Sequence, residues 1–252
     1  MLGALGSEAS SAAWGGEVMR ADFTTFERLA TLRPIPLAGG DQAIREVWRI
    51  ALAVLDDAFD GAPALASLPL FAQTAPREVA TIRRMIARGL NTPLAHGAGR
   101  YFDALGAIVL GHARSSYEGQ VALAWNLVAD PAEPGAYPFA VEAGEPARLD
   151  LRPLVRAAVW DLRAGVPAGT ISGRFHNGLA DGTAALVHHA ARRVGRLPVV
   201  LTGGCFQNAL LAERVLARLS PDFDVRLHGE VPPGDGGIAL GQALIADART
   251  RE

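Results

Sequence analysis

The sequence contains no lysine; all 24 of its basic side chains are arginine. That absence excludes Schiff-base chemistry, a pyridoxal-phosphate site, the phosphate lysine of a P-loop and the phosphate lysine of a protein kinase. Cysteine occurs once, as Cys205. An intrachain disulfide, a CxxC redox pair and a cysteine-rich zinc site are therefore excluded too. So low a thiol count fits a reducing compartment. Neither sign of charge is in excess. The formal net charge is −2, which gives no electrostatic reason to expect nucleic acid or an anionic membrane as partner. No uncharged apolar run reaches the roughly 18 residues of a membrane span. The opening MLGALGSEASSAAWGGE lacks the basic and apolar regions of a secretory signal. The expectation is a cytoplasmic protein.

What is present is a normal globular balance, 50% hydrophobic and 20% charged over 252 residues. That length suits one large domain or two small ones. Two short strands are predicted near 16–22 and 26–32. GGDQAIREVWRIALAVLDDAF reads as one helix, with Asp41 at its N-cap and Ile44, Val47, Trp48, Ala51, Leu52 and Leu55 at helical spacing. GAPALASLPLFAQTAP reads as a connector with one short turn. EVATIRRMIARG reads as a helix stopped by Gly89. GAGRYFDALGAIVLG and QVALAWNLVA read as apolar helices. Residues 130–150, rich in Pro, Gly and Glu, mark the boundary between two halves. LRPLVRAAVWDLRAG and ISGRFHNGLADGTAALVHHAARRVG follow as two helices. The end reads strand (LPVVLTGG), helix (QNALLAERVLARL), strand (FDVRLHG), helix (GDGGIALGQALIADART), which implies a parallel strand pair with a right-handed crossover.

Several places could carry chemistry. Gly203-Gly204 ends a strand and leads into a helix, so free backbone N–H groups and a helix N-terminus meet there. Asn208 stands where its amide could reach a base or ribose edge. LTGGCFQN thus reads equally as a nucleotide or phosphate site and as a tight strand-to-helix turn. Residues 234–239 match the loose pattern GxGxxG/A, but the acidic residue due roughly 20 positions later is beyond Glu252. Asp235 on its own reads first as an N-cap and second as a metal or phosphate-side carboxylate. His188 and His189 are adjacent and point different ways, so they do not form a metal pair. His176 reads as a packing or capping residue at a helix start. Cys205 reads as a small buried hydrophobe rather than a nucleophile. Asp103 and Glu118 are acids in apolar or glycine-bounded surroundings, readable as surface or capping residues or as partners of ribose hydroxyls.

In order, WGGE (14–17), LRPIPLAGGDQAIREVWRIAL (32–52), LNTPLAHGAGRYFDALGAI (90–108), SYEGQ (116–120), FHNGLA (175–180), LTGGCFQNALL (201–211) and VPPGDGGIALGQA (231–243) resemble the C-terminal carbamoyltransferase domain of the HypF family of hydrogenase-maturation proteins, truncated at its N-terminus. The family is similar to the tRNA threonylcarbamoyl transferases. The resemblance runs from about residue 12 to residue 249. It implies an α/β fold of the actin/sugar-kinase/Hsp70-like ATPase type with an incomplete N-terminal lobe. Residues 1–130 would be the remnant of that lobe with a helical nucleotide-facing region, and 131–252 the C-terminal lobe. It further implies that Gly203, Gly204 and Asn208 hold an adenine nucleotide, that Asp103, Glu118 and Gly119 face its ribose, and that Asp235 is a ligand of a divalent metal. The implied reaction moves a carbamoyl group from carbamoyl-adenylate to the cysteine thiol of a hydrogenase-maturation partner.

This sequence departs from the family pattern at its start. The position of the family's DGTG-type turn falls on Gly3-Ala4-Leu5-Gly6, without the acid, and the histidine motif that supplies metal ligands would lie before Met1. Asp235 is then expected to lack partner ligands, and the fold to have an open sheet edge filled by association or by a separate chain. Three readings follow. One is a carbamoyltransferase. The second is an inactive truncated paralogue serving as a nucleotide-binding or scaffold subunit. The third is a transferase acting on a small molecule or tRNA, which the wording of the YEG and GGxFQN motifs and the lack of a basic stretch argue against.

Overall fold

In the computed structural model, residues 12–72 and 74–251 are described. The strands β1 (Val18–Ala21) and β2 (Phe26–Leu32) form an antiparallel hairpin with a register shift between Val18 and Met19. The hairpin joins β5 (Ala140–Glu142) and β6 (Ala147–Asp150) in one sheet of order β1-β2-β6-β5. β2 runs parallel to β6, with Ala30 opposite Ala147 and Leu32 opposite Leu149, all four buried. The sheet thus joins strands from both sides of residue 130. A second pair, β3 (Ile35–Pro36) and β4 (Leu94–Ala95), is antiparallel, and Ala13 bridges Ala95.

The helical segment after Gly40 differs from the sequence expectation. It is not one helix but two, α1 (Asp41–Arg45) and α2 (Trp48–Ala58). Glu46 leaves helical geometry, and its carboxylate is drawn to Arg49 and Arg114. Asp41 is not the N-cap; Gly40 takes that place at φ 58°, a backbone conformation that favours glycine. The connector holds two short 3-10 turns, Leu65–Ser67 and Pro69–Phe71, rather than one. α3 (Pro76–Ala87) follows and ends before Gly89 as expected.

α4 (Ala98–Leu110) packs between α2 and α5 (Gln120–Leu127). Gly106 permits this closeness, because a Cβ there would lie 2.9 Å from a Val121 methyl and 3.0 Å from Trp125 Cβ. α6 (Arg152–Arg163) leads into α7 (Ala168–Val194), the longest element, which spans about 40 Å at 1.5 Å per residue. α7 packs on the sheet, α6 and α8 (Ala209–Leu219). Phe175 on α7 is fully buried among Phe102, Trp125 and His176, with the Phe102 ring edge-on at 4.8 Å. Such aromatic pairs add to the burial of area itself.

The last quarter is sparser. β7 (Val199–Val200) and β8 (Val225–Arg226) form the expected parallel pair, joined through α8. A two-stranded sheet has little stability of its own. α9 (Ile238–Thr250) has no buried residue, and Ile238, Leu240, Leu244 and Ile245 are all exposed. No helix among the described residues is long and apolar enough to cross a membrane.

Candidate functional site

The fold brings four of the sequence motifs to one place. The first is the N-terminus of α4, where Gly97 is the cap and Arg100 and Asp103 lie one turn apart. WGGE holds it from behind. A Cβ on Gly15 would come within 2.8 Å of Gly97 Cα, so the WGGE loop needs glycine at Gly15 to touch. Glu17 is anchored beside them. It accepts from Arg28 at 2.6 and 2.9 Å, from the Thr31 hydroxyl at 2.9 Å and from Gly15 N–H at 3.3 Å. His96, the residue before Gly97, donates from Nδ1 to the Leu32 carbonyl at 2.7 Å. Sequence reading missed this Glu17–Arg28–Thr31–His96 frame, because its members are scattered over eighty positions. WGGE and LAHG were the only signals of it.

The second motif is the turn carrying Glu118 and Gly119. Gly119 takes φ 82° and caps α5, and Glu118 is half exposed with its carboxylate 3.7 Å from Arg100. The third is the 3-10 turn Gly204–Gln207 between β7 and α8. Gly203 enters it at φ 103°, and the Cys205 sulfur accepts from Gly99 N–H of α4. The fourth is the turn Asp235–Gly237. It is tied to the third by Gly203 N–H donating to Pro233 O at 2.7 Å, and Gly234 faces the Gln207 amide.

Within this convergence Asp103 is not open to solvent. It is 2% exposed and ion-paired to Arg100 at 3.0 Å, and Ala122 N–H donates to it across to α5. Burial pushes its carboxyl up, while Arg100 and the Ala122 N–H oppose that rise. Cys205 is only partly buried, packed against the core rather than inside it as expected from sequence, and desolvation raises its thiol as well. Asn208 spends its side chain on the protein. Its Oδ1 caps α8 by accepting from Leu211 N–H at 3.0 Å, and its Nδ2 donates to His176 Nε2 at 2.9 Å.

His176 is not at a helix start. It lies inside α7, fully buried, because the helix begins at Ala168, well before the FHN motif. Its Nδ1 donates to the Ser172 carbonyl at 2.7 Å, so Nε2 is the acceptor for Asn208. Burial lowers its pKa and keeps the ring neutral.

Asp235 is not an N-cap: Gly234 takes that position, and no side chain caps the turn. Asp235 is exposed, and among the described residues no three His, Cys, Asp or Glu side chains come together to hold a metal. One exposed carboxylate does not fit a transition metal, which needs several ligands in fixed geometry. The stretch Gly3–Gly6, aligned with the family's acid-bearing turn, lies outside the described residues. His188 faces Asp222 at 3.6 Å and the Phe223 ring, consistent with packing rather than a metal pair with His189.

Comparison with known proteins places the chain in a family. Residues 5–242 match the family model described as the carbamoyltransferase, Kae1-like domain, second subdomain. The chain is 39% identical over 250 residues to the carbamoyltransferase HypF of Rhodobacter capsulatus, covering 99% of this chain and 32% of that protein. It is 33% identical to a carbamoyltransferase HypF homolog of Cupriavidus necator, covering 97% of this chain and 64% of that protein. Among solved structures, full-length HypF in its phosphate- and nucleotide-bound form superposes with a TM-score of 0.89 at 31% identity, over 98% of this chain and 32% of that one. The chain thus spans about a third of the length of most of these relatives. It belongs to the HypF carbamoyltransferase family, as a mixed α/β unit matching the second subdomain of the Kae1-like domain.

Proposed function

We propose that this chain is the nucleotide-facing part of a carbamoyltransferase that moves a carbamoyl group from carbamoyl-adenylate to a protein cysteine thiol in nickel–iron hydrogenase maturation. The observation that carries the reading is the meeting of Arg100–Asp103, Glu118–Gly119, Gly203–Asn208 and Gly234–Asp235 at one end of α4. Glycine-rich turns of this kind let a nucleotide approach the backbone without side-chain obstruction. In the reaction the partner's thiolate sulfur bonds to the carbamoyl carbon. The bond from that carbon to the phosphate oxygen breaks, and AMP leaves. The contribution of this chain is to hold the adenylate in place while charge moves from sulfur to phosphate. The fold would be of the actin/sugar-kinase/Hsp70 type, with the metal-bearing part of the site supplied from outside the described residues, and the setting cytoplasmic. The missing ligand set leaves the metal without a role in the steps assigned to this chain.

The alternative is a nucleotide-binding or scaffold subunit without transfer activity, and the isolation of Asp235 favours it. One set of assays separates the two. The full chain is titrated with AMP by calorimetry, then given carbamoyl-adenylate and a peptide ending in cysteine, with and without the remainder of a HypF protein added in trans. Carbamoylated peptide in the supplemented reaction supports the transferase. AMP binding with no product under either condition makes the chain a scaffold. No AMP binding at millimolar concentration overturns the transferase and leaves only a scaffold that does not use the nucleotide.

A further inference from the structure

Arg100 is better buried than the other arginines whose ion pairs carry no hydrogen bond, Arg20, Arg114 and Arg196. Arg28, Arg33, Arg83 and Arg152 each place Nε and Nη2 on carboxylate oxygens at hydrogen-bond distance. Arg100 makes no hydrogen bond of this kind. Its Nη1 lies 3.0 Å from Asp103 Oδ2 yet aims no N–H at it, and that nitrogen is buried without a hydrogen-bond partner. Its Nη2 is 3.7 Å from Glu118, beyond hydrogen-bond range, and its side chain is only 15% exposed. A guanidinium nitrogen buried without a hydrogen bond is costly, because an unsatisfied buried donor forfeits its hydration. The planar donor fork of arginine matches two oxygens of one oxyanion.

The surroundings say where that oxyanion would come from. Arg100 sits in the first turn of α4, close to Cys205 of the Gly204–Gln207 turn, whose sulfur feels its charge. Asp103, itself buried, lies on the Nη1 side of the guanidinium. Glu118 stands opposite on an exposed turn. We propose that Arg100 is the side chain that binds the phosphate of the adenine nucleotide, with Asp103 acting as its positioning residue. This inference rests on the nucleotide reading given above and assigns to Asp103 a supporting role instead of a direct ribose contact.

The test compares AMP, adenosine and inorganic phosphate as ligands of the full chain, using calorimetry on the unaltered protein and on Arg100→Gln and Arg100→Lys. Thermal unfolding of each variant serves as the folding control. The unaltered chain is expected to prefer AMP over adenosine, and inorganic phosphate to compete with AMP. Arg100→Gln is expected to weaken AMP by about tenfold or more, the size of a lost charged hydrogen bond, and to leave adenosine unchanged. Arg100→Lys keeps a charge but not the fork and falls between. Equal weakening of AMP and adenosine would make Arg100 a structural residue and overturn the proposal. So would AMP binding that ignores the substitution, or an unaltered chain that binds AMP and adenosine equally. If the unaltered chain binds neither, the nucleotide reading itself falls and takes this inference with it.

Discussion

α7 and α9 are both glycine-containing helices that carry family motifs, yet they sit in opposite environments. α7 buries fourteen of its 27 residues, and α9 buries none of its 13. The difference is not one of helix-forming tendency. In α7 the glycines are points of contact: a Cβ on Gly178 would lie 2.5 Å from the Tyr137 carbonyl, and one on Gly182 2.8 Å from a Leu149 methyl. Asn177 then fixes the approaching loop by donating to the Glu133 and Gly135 carbonyls at 2.8 and 2.7 Å. In α9 a Cβ on Gly241 would meet nothing. An apolar stripe becomes a core only where another element covers it.

The sharpest way to break this contrast is to truncate the centre of the packed half. Phe175→Ala should cost about 3–5 kcal/mol in urea unfolding, the usual price for emptying a buried aromatic site. A loss below about 1 kcal/mol would mean that α7 is no better packed than α9. A smaller effect is expected at His176. Gln in its place should cost about 1 kcal/mol through the altered hydrogen bond to Asn208, and it should change the pH response. Burial lowers the His176 pKa below its ordinary 6.5, so the unfolded chain takes up the proton first. The contribution is therefore complete above about pH 6.5 and is lost as pH falls toward the lower folded value. Unfolding curves at pH 7.5 and pH 5 should differ less for His176→Gln than for the unaltered chain; an unchanged difference would refute the buried neutral ring. The least effect belongs to α9. Leu244→Gln should shift the stability of this chain by no more than about 0.5 kcal/mol, and a larger loss would mean that α9 is covered.

The contrast also explains what could be read from sequence. The helices α3 to α8 were legible because their apolar spacing and glycine stops are local signals. The break between α1 and α2 was not, since it depends on where Glu46 finds its arginines. The order β1-β2-β6-β5 was not legible either, because β6 pairs across more than a hundred residues with β2. At the site, the glycine turns and Asn208 announced themselves by motif. The burial of Asp103 beside Arg100 and the use of Asn208 by His176 arise from contacts between distant segments.

The arginine forks carry one more consequence, for alkaline solution. The cationic partners of the side-chain ion pairs at Asp57, Asp56, Asp150 and Asp161 are guanidinium groups, raised further by those partners. None of these pairs surrenders its proton on the way to pH 10, where lysine-based pairs begin to fail. The upper pH limit instead belongs to neutral buried groups. Cys205, Tyr101 and Tyr137 are all pushed up by burial. Above about pH 9 to 10 the unfolded chain therefore releases protons that the folded one retains, and the balance tips toward unfolding. Base should undo this molecule through its thiol and its phenols, with the guanidinium pairs still charged.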